Sequence, residues 1–362
     1  MTKTICRFAI LTLLSFVFSN LALAQDTKQL DEYMKKVTDA GFSGTVLVGR
    51  EGVINYAKGF GLANRELDVR NRVETKFRLG SITKQFTAAS IMLLQERGKL
   101  STSDKICKYF ETCPPAWSEI TLHHLLSHTS GIHNYTAVKE YGTKMANHET
   151  VDSMIARFKD MPLDFQPGEK WNYSNSGYFL LGYVIEKVSG TSYENFIQQN
   201  IFDKLGMRDT GYDHFETILK NRATGYSKQP SGIINSPYLD MNQPYSAGSL
   251  YSTVEDLFKW AEAFFGDRLL TAKSREAMTT VVKNDYGYGL GISTVSGRTQ
   301  VSHGGGINGF NTWLATYPKE KITVVVLRNA DFGTPGPGKI GTDLVTLALG
   351  EKLESGEAKP AR

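Results

Sequence analysis

Ser81-Ile82-Thr83-Lys84 places a hydroxyl and an amine three residues apart, and on a helix such residues share one face, so the amine can reach the hydroxyl. A serine hydroxyl becomes a useful nucleophile only when a neighbour takes its proton. A lysine can do so if burial lowers its pKa and leaves the amine partly neutral. The pattern S-x-x-K occurs once in the chain. A match of this kind arises by chance roughly once or twice in a chain this long. Its weight comes from its position, at the start of an apolar segment just after Phe77-Arg78-Leu79-Gly80.

Two further groups could complete such a site. Tyr173-Ser174-Asn175, between Pro167-Gly168 and Ser176-Gly177, offers a phenol that can relay a proton and an amide that can hold a substrate amide. Tyr193-Glu194-Asn195 has the same spacing, but Phe196, Ile197, Ile201 and Leu205 place it on an amphipathic helix with a structural role. His303-Gly304-Gly305-Gly306 follows a β-rich run, and its missing side chains would let a substrate lie against backbone, where an N–H could serve an oxyanion. The same four residues could equally form a hairpin turn.

These residues need elements to hold them. After Ser81, apolar residues fall on every face from Ile82 to Leu94, which predicts a buried helix ending near Gly98. Apolar positions from Lys28 to Val37 predict a helix leading into two strands, Phe42 to Val48 and Val53 to Ala57. Leu122 to Phe265 alternates helical spacing with Gly, Pro, Asn and Ser clusters. Four β-rich runs follow, at 288–295, 299–302, 310–317 and 322–327, then a closing helix over 344–353. Strands at both ends imply that the first pair returns to join the last. The expected fold is α/β in the α+β sense: an antiparallel sheet flanked by terminal helices, plus an all-helical lobe carrying Ser81 and Tyr173 at the junction.

The order S-x-x-K, Y-x-N, then H-x-G at His303-Gly304-Gly305 resembles the serine β-lactamase and penicillin-binding-protein superfamily. The flanks Phe77 to Phe86 and Leu125-Leu126-Ser127-His128-Thr129-Ser130-Gly131 are similar to its class C branch, and the likeness runs from about Gly44 to Leu327. The resemblance implies a β-lactamase/transpeptidase-like fold in which Ser81 is acylated and Lys84 and Tyr173 share proton transfer. It implies that Asn175 holds the substrate amide, that His303 stands at the third motif's basic position beside Gly305, and that the N–H groups of Ser81 and Gly306 form an oxyanion hole. It implies no cofactor and no metal. The substrates it implies are D-alanyl-type peptides or β-lactams, as in DD-peptidases and β-lactamases. Histidine at position 303, where class C β-lactamases usually carry lysine, points away from efficient antibiotic hydrolysis. A carboxylesterase of the same fold and a penicillin-binding sensor that does not turn over stay open. An α/β-hydrolase is opposed by the lack of a G-x-S-x-G elbow. A zinc site on His123, His124, His128 and His133 is opposed by the lack of the glutamate of H-E-x-x-H.

Met1 to Ala24 carries Lys3 and Arg7, an apolar run from Phe8 to Phe18, and Ala22-Leu23-Ala24, the order of a cleavable signal peptide. The expected organisation is a signal peptide over 1–24, one hydrolase domain over 25–353 and a disordered polar tail over 354–362. The product is then periplasmic or extracellular, with no stable membrane span. Losing Lys3 and Arg7 lowers the formal net charge from +4 to about +2, which gives no reason to expect a nucleic-acid partner. Cys107 and Cys113 are expected to form a local disulfide in that oxidising compartment.

Overall fold

The computed structural model describes residues 27–353. The expected signal peptide and polar tail lie outside the described residues. Six strands form one antiparallel sheet: β1 (Gly44–Arg50), β2 (Val53–Phe60), β3 (Gly291–Val295), β4 (Arg298–Ile307), β5 (Phe310–Tyr317) and β6 (Ile322–Arg328). Their spatial order is β3-β4-β5-β6-β1-β2, so the N-terminal hairpin joins the C-terminal meander through the β1–β6 pair, with Val46 opposite Val326.

Side chains alternate across a strand, and β6 uses both faces. Val324 and Val326 pack with Leu30, Met34 and Val37 of α1 (27–39), and with Ile340 and Leu344 of the C-terminal helix, on one side. Val325 and Leu327 join the other core, which continues into the helical lobe. A strand buried on both faces reads as an unbroken apolar run, as Val324 to Leu327 does.

The lobe is built on α2 (Thr83–Glu96), whose residues from Thr83 to Leu94 are all buried. Beside it runs α3 (Asn175–Ser189), ended by Gly190 in a left-handed conformation with φ of +74°. An amphipathic helix, α4 (Val254–Phe265), carries Leu257, Phe258 and Trp260 into the same core. Small antiparallel pieces that periodicity did not reveal edge the lobe: a hairpin of Tyr226–Gln229 with Gly232–Asn235, and Phe77–Arg78 paired with Leu250–Ser252. Cys107 and Cys113 are disulfide-bonded at the lobe surface.

Several boundaries differ from expectation: the strand expected over 288–295 starts at Gly291, and that expected over Val53 to Ala57 runs to Phe60. The closing helix, α5, spans Pro337–Ala348 rather than 344–353. Pro337 takes the first turn, where its missing N–H costs no hydrogen bond, so a residue that reads as a breaker starts the helix. The strand expected over 299–302 extends to Ile307, so His303 to Gly306 are strand residues and the turn falls at Asn308-Gly309.

Candidate active site

The extended β4 explains why glycine recurs there. Gly305 lies against the turn that carries Ser81, and a Cβ on it would overlap the Leu79 carbonyl oxygen. That carbonyl also accepts a hydrogen bond from Thr312 Oγ1 on β5 at 2.8 Å, which ties the turn to the sheet. Gly80, with φ of +56°, faces the backbone of Gly306, where a Cβ would come within 3.1 Å of its nitrogen. On the other side of the turn, Arg78 Nε meets the buried Asp213 carboxylate at 2.6 Å. The chain from Arg78 to Ile82 is thus clamped between sheet and lobe.

Ser81 sits in a 3-10 turn, Gly80–Ile82, that runs directly into α2. Lys84 Nζ lies 3.1 Å from Ser81 Oγ, 2.8 Å from Asn175 Oδ1 and 2.8 Å from the Ala247 carbonyl oxygen. Lys84 is completely buried, and burial pushes its amine well below the ordinary lysine range. The rings of Tyr173 and Tyr178, 4.8 and 5.5 Å from Nζ, favour the ammonium. Such an attraction is worth about 2 kcal/mol or somewhat more when desolvated. Desolvating a charge costs several kcal/mol, so burial wins. A neutral amine has two N–H donors and one lone pair. Asn175 Oδ1 and the Ala247 carbonyl can only accept, so they take both donors and turn the lone pair toward the Ser81 hydroxyl.

Tyr173 precedes α3 and stacks over His128 with ring centroids 4.3 Å apart. Its buried phenol is pushed above the ordinary tyrosine value by desolvation, an effect the Ser81 hydroxyl partly offsets. Among the described residues no group meets that phenol at normal hydrogen-bond geometry, although Ser81 is near enough to affect its titration. The phenol therefore holds its proton at neutral pH and can give it up as it takes another from a neighbour. Asn175, the first residue of α3, is held by Lys84 and by Thr136 Oγ1, which receives its Nδ2 at 3.2 Å.

His303 lies behind the cleft lining. Its ring is 8% exposed and does not line the cleft beside Ser81. Nδ1 donates to its neighbour's Gly304 carbonyl at 2.6 Å, and Nε2 accepts from the Tyr286 hydroxyl at 2.9 Å. Burial, aided by the nearby Lys84, brings its pKa down to about 4, so the ring is neutral. The cleft itself, about 240 Å³, is lined by Ser81, Asn175 and Gly306 together with Tyr135, Tyr141 and Asn308. Lys84, Tyr173 and His303 stand behind that lining. A Cβ on Gly306 would meet nothing within 4 Å, so its backbone faces open space.

Sequence reasoning did not find Ala247 or Tyr286, whereas Tyr135 and Tyr141 fall in the loop Asn134 to His148, which the sequence offers as a wall of the substrate pocket. A backbone carbonyl such as that of Ala247 leaves no trace in residue type. His128 could have been found, because it lies in the flank Ser127-His128-Thr129-Ser130-Gly131. Its Nδ1 accepts the Ser174 N–H at 3.2 Å and so helps hold the loop that carries Tyr173. Tyr193 has the structural role expected of it, with its hydroxyl 2.7 Å from Thr87 Oγ1 in the core. Among the described residues no cluster of histidine, cysteine or acidic side chains could hold a metal ion. A second recess of about 350 Å³, lined by Glu149, Glu186, Glu194 and Tyr245, lies away from Ser81 and contains no part of this constellation.

Residues 28–347 match the family described as Beta-lactamase. The chain is 35% identical over 303 residues to PbpX of Bacillus subtilis (strain 168), which bears a penicillin-binding-protein name, covering 83% of this chain and 73% of that one. It is 26% identical over 310 residues to the teichoic acid D-alanine hydrolase of Staphylococcus aureus (strain MRSA252), covering 83% and 73%. The octameric penicillin-binding protein homologue from Pyrococcus abyssi superposes with a TM-score of 0.81 at 32% identity, over 90% of this chain and 78% of the other. Matched along nearly all its described length, in sequence and in fold, the chain belongs to the β-lactamase family of serine hydrolases and penicillin-binding proteins.

Proposed function

We propose that the protein is a secreted hydrolase that works through an acyl-Ser81 intermediate on D-alanyl-type substrates. The single observation that carries this reading is the Lys84 amine, buried, aimed at Ser81 from 3.1 Å and held by two acceptors. Neutral Lys84 takes the Ser81 proton as Oγ bonds to the substrate carbonyl carbon. The carbonyl oxygen becomes an oxyanion, received by the backbone N–H groups of Ser81 and Gly306. As the tetrahedral centre collapses, the bond to the leaving nitrogen or oxygen breaks. That atom takes a proton from the Lys84 ammonium, relayed by the Tyr173 phenol. Water then attacks the acyl-serine by the same route, giving up a proton to Lys84, and the acid leaves as Ser81 regains its hydrogen.

Asn175 has a double part: it orients Lys84 and presents its amide at the cleft wall. His303 supports the wall from behind and does not touch substrate. The D-alanyl preference rests on the likeness to the teichoic acid D-alanine hydrolase. β-Lactams present the same kind of carbonyl to the same hydroxyl and form a second substrate class. Export is supported by the signal-type sequence over 1–24 and by the Cys107–Cys113 bond, which suits an oxidising compartment. The hydrolase domain then occupies 25–353, with a polar tail after it.

The test is reaction with the p-nitrophenyl ester of N-acetyl-D-alanine, quenched in acid and read by intact and peptide mass. The expected result is an N-acetyl-D-alanyl adduct on the peptide containing Ser81, with faster nitrophenolate release than from the L-enantiomer. An adduct elsewhere, or one retained in Ser81→Ala, contradicts the reading.

A further inference from the structure

The cleft beside Ser81 is uncharged. Among the described residues that line it there is no aspartate, glutamate, lysine, arginine or histidine. Three of its side-chain donors are engaged: Asn308 Nδ2 donates to the Pro237 carbonyl at 2.9 Å, the Tyr135 hydroxyl to the Gln243 carbonyl at 2.8 Å and Asn175 Nδ2 to Thr136 Oγ1 at 3.2 Å, which leaves neutral hydroxyls to meet a ligand. The cations near the cleft stand outside its lining. Lys84 stands behind Ser81 with its three partners. His303 is buried, with both ring nitrogens bonded. Lys144 and Arg157 line an adjoining recess that shares only Tyr135 and Tyr141 with the cleft, and Arg157 is paired there with Glu149.

Many substrates of an acyl-serine enzyme carry a free carboxylate close to the scissile carbonyl. A peptide ending in D-alanyl-D-alanine does, and so does a penicillin. Bringing such a group against uncharged walls strips part of its hydration, and no cation replaces what is lost. An ester or carboxamide at the same place carries no such charge. We infer that the uncharged cleft selects substrates whose leaving group bears no carboxylate, that is, esters and neutral amides of D-alanyl-type acyl groups. This inference rests on the serine-hydrolase reading above and orders its two substrate classes, placing β-lactams and carboxylate-ended peptides second. In the favoured reaction water adds across the C–O or C–N bond, releasing an alcohol or a neutral amine and leaving the acid on the acyl side.

The experiment compares N-acetyl-D-alanyl-D-alanine with N-acetyl-D-alanyl-D-alaninamide, reading in both the release of N-acetyl-D-alanine from the internal amide bond they share, with loss of ammonia from the terminal amide scored separately. The amide is expected to show kcat/KM higher by about tenfold or more, a difference of about 1.4 kcal/mol. Placing a cation on the cleft wall by Asn308→Arg is expected to narrow that ratio through faster cleavage of the free acid. Equal rates, or a free acid that is preferred, overturn the inference, as does an Asn308→Arg ratio no smaller than that of the wild type. Ser81→Ala run in parallel separates the two levels of the argument. Cleavage that survives in that variant overturns the serine reading, whereas Ser81-dependent cleavage with the wrong preference overturns only this inference. If neither peptide is cleaved while a simple ester still acylates Ser81, the D-alanyl assignment and this inference fall together.

Discussion

The helical lobe meets the cleft with side chains, whereas the sheet meets it with bare backbone. On the lobe side, Ser81 and Asn175 converge on hydrogen bonds centred on the Lys84 amine, and the Tyr173 ring lies 4.8 Å from the same amine. On the sheet side, β4 brings Gly305 against Leu79 and Gly306 against Gly80, and the fit is fixed by what is missing. The two walls do different work. In the proposed mechanism one supplies groups that move protons, and the other brings backbone close to where a carbonyl oxygen would develop charge. Errors in the first should therefore appear in rate and pH dependence, and errors in the second in stability and rate together.

Substitutions separate the two walls. Ser81→Ala should lower kcat/KM by about 10⁴-fold or more, because the acyl-enzyme route is lost. Its thermal midpoint should move little, and a large drop there would mean Ser81 is structural. Lys84→Ala should cost about 10²- to 10⁴-fold in acylation rate, the usual range for a general base. The wild-type rate should fall as pH drops through the lowered Lys84 pKa, since the ammonium has no lone pair to accept the Ser81 proton. That acid limb should be absent from the variant's pH–rate profile. On the sheet wall, Gly305→Ala should destabilise by about 1–3 kcal/mol through overpacking. It should also slow acylation by moving the Ser81 turn, as chemical denaturation and steady-state kinetics would show. A variant with unchanged stability and rate would break the distinction between the walls.

The smallest effect on activity at neutral pH is expected behind the sheet wall, at His303. Its folded pKa, about 4, lies below the ordinary 6.5, so the unfolded chain binds the proton first. Folding stability should therefore fall as pH drops from 6.5 to 4, and this contribution should level off below that. His128 acts in the same direction, and so does Lys84 over a higher window set by its ordinary value of 10.5. Chemical denaturation at several pH values should show that His303→Asn flattens part of the acid decline. An unchanged slope would mean that the ring does not titrate with folding.

The lobe wall was legible in the sequence and the sheet wall only in part. Ser81 and Lys84 could be read because a helix places residues three apart on one face, so local spacing already contains the contact. Tyr173 could be told from Tyr193, though both begin a Y-x-N, because the apolar pattern around Tyr193 put it in the core. The return of β1 to the C-terminal sheet also followed from strands at both ends of the chain. By contrast, His303 to Gly306 read as residues following a strand or as a hairpin turn, since glycine weakens a strand pattern. What makes them strand residues is the close approach of Leu79, more than two hundred positions earlier. The Tyr286 hydroxyl that occupies His303 and the Ala247 carbonyl that orients Lys84 are likewise products of the tertiary fold. α5 was displaced in the reading because Pro337 serves as its first residue, where the same residue type elsewhere ends a helix.

The central claim is that neutral Lys84 takes the proton from Ser81. The direct measurement is the pre-steady-state rate of acylation by the N-acetyl-D-alanine ester as a function of pH, in the wild type and in Lys84→Ala, with the adduct located by peptide mass. The account predicts an adduct on Ser81, a wild-type rate that falls on acidification, and a slow variant without that fall. A Lys84→Ala protein that acylates Ser81 at the wild-type rate, with the same acid limb, would contradict it.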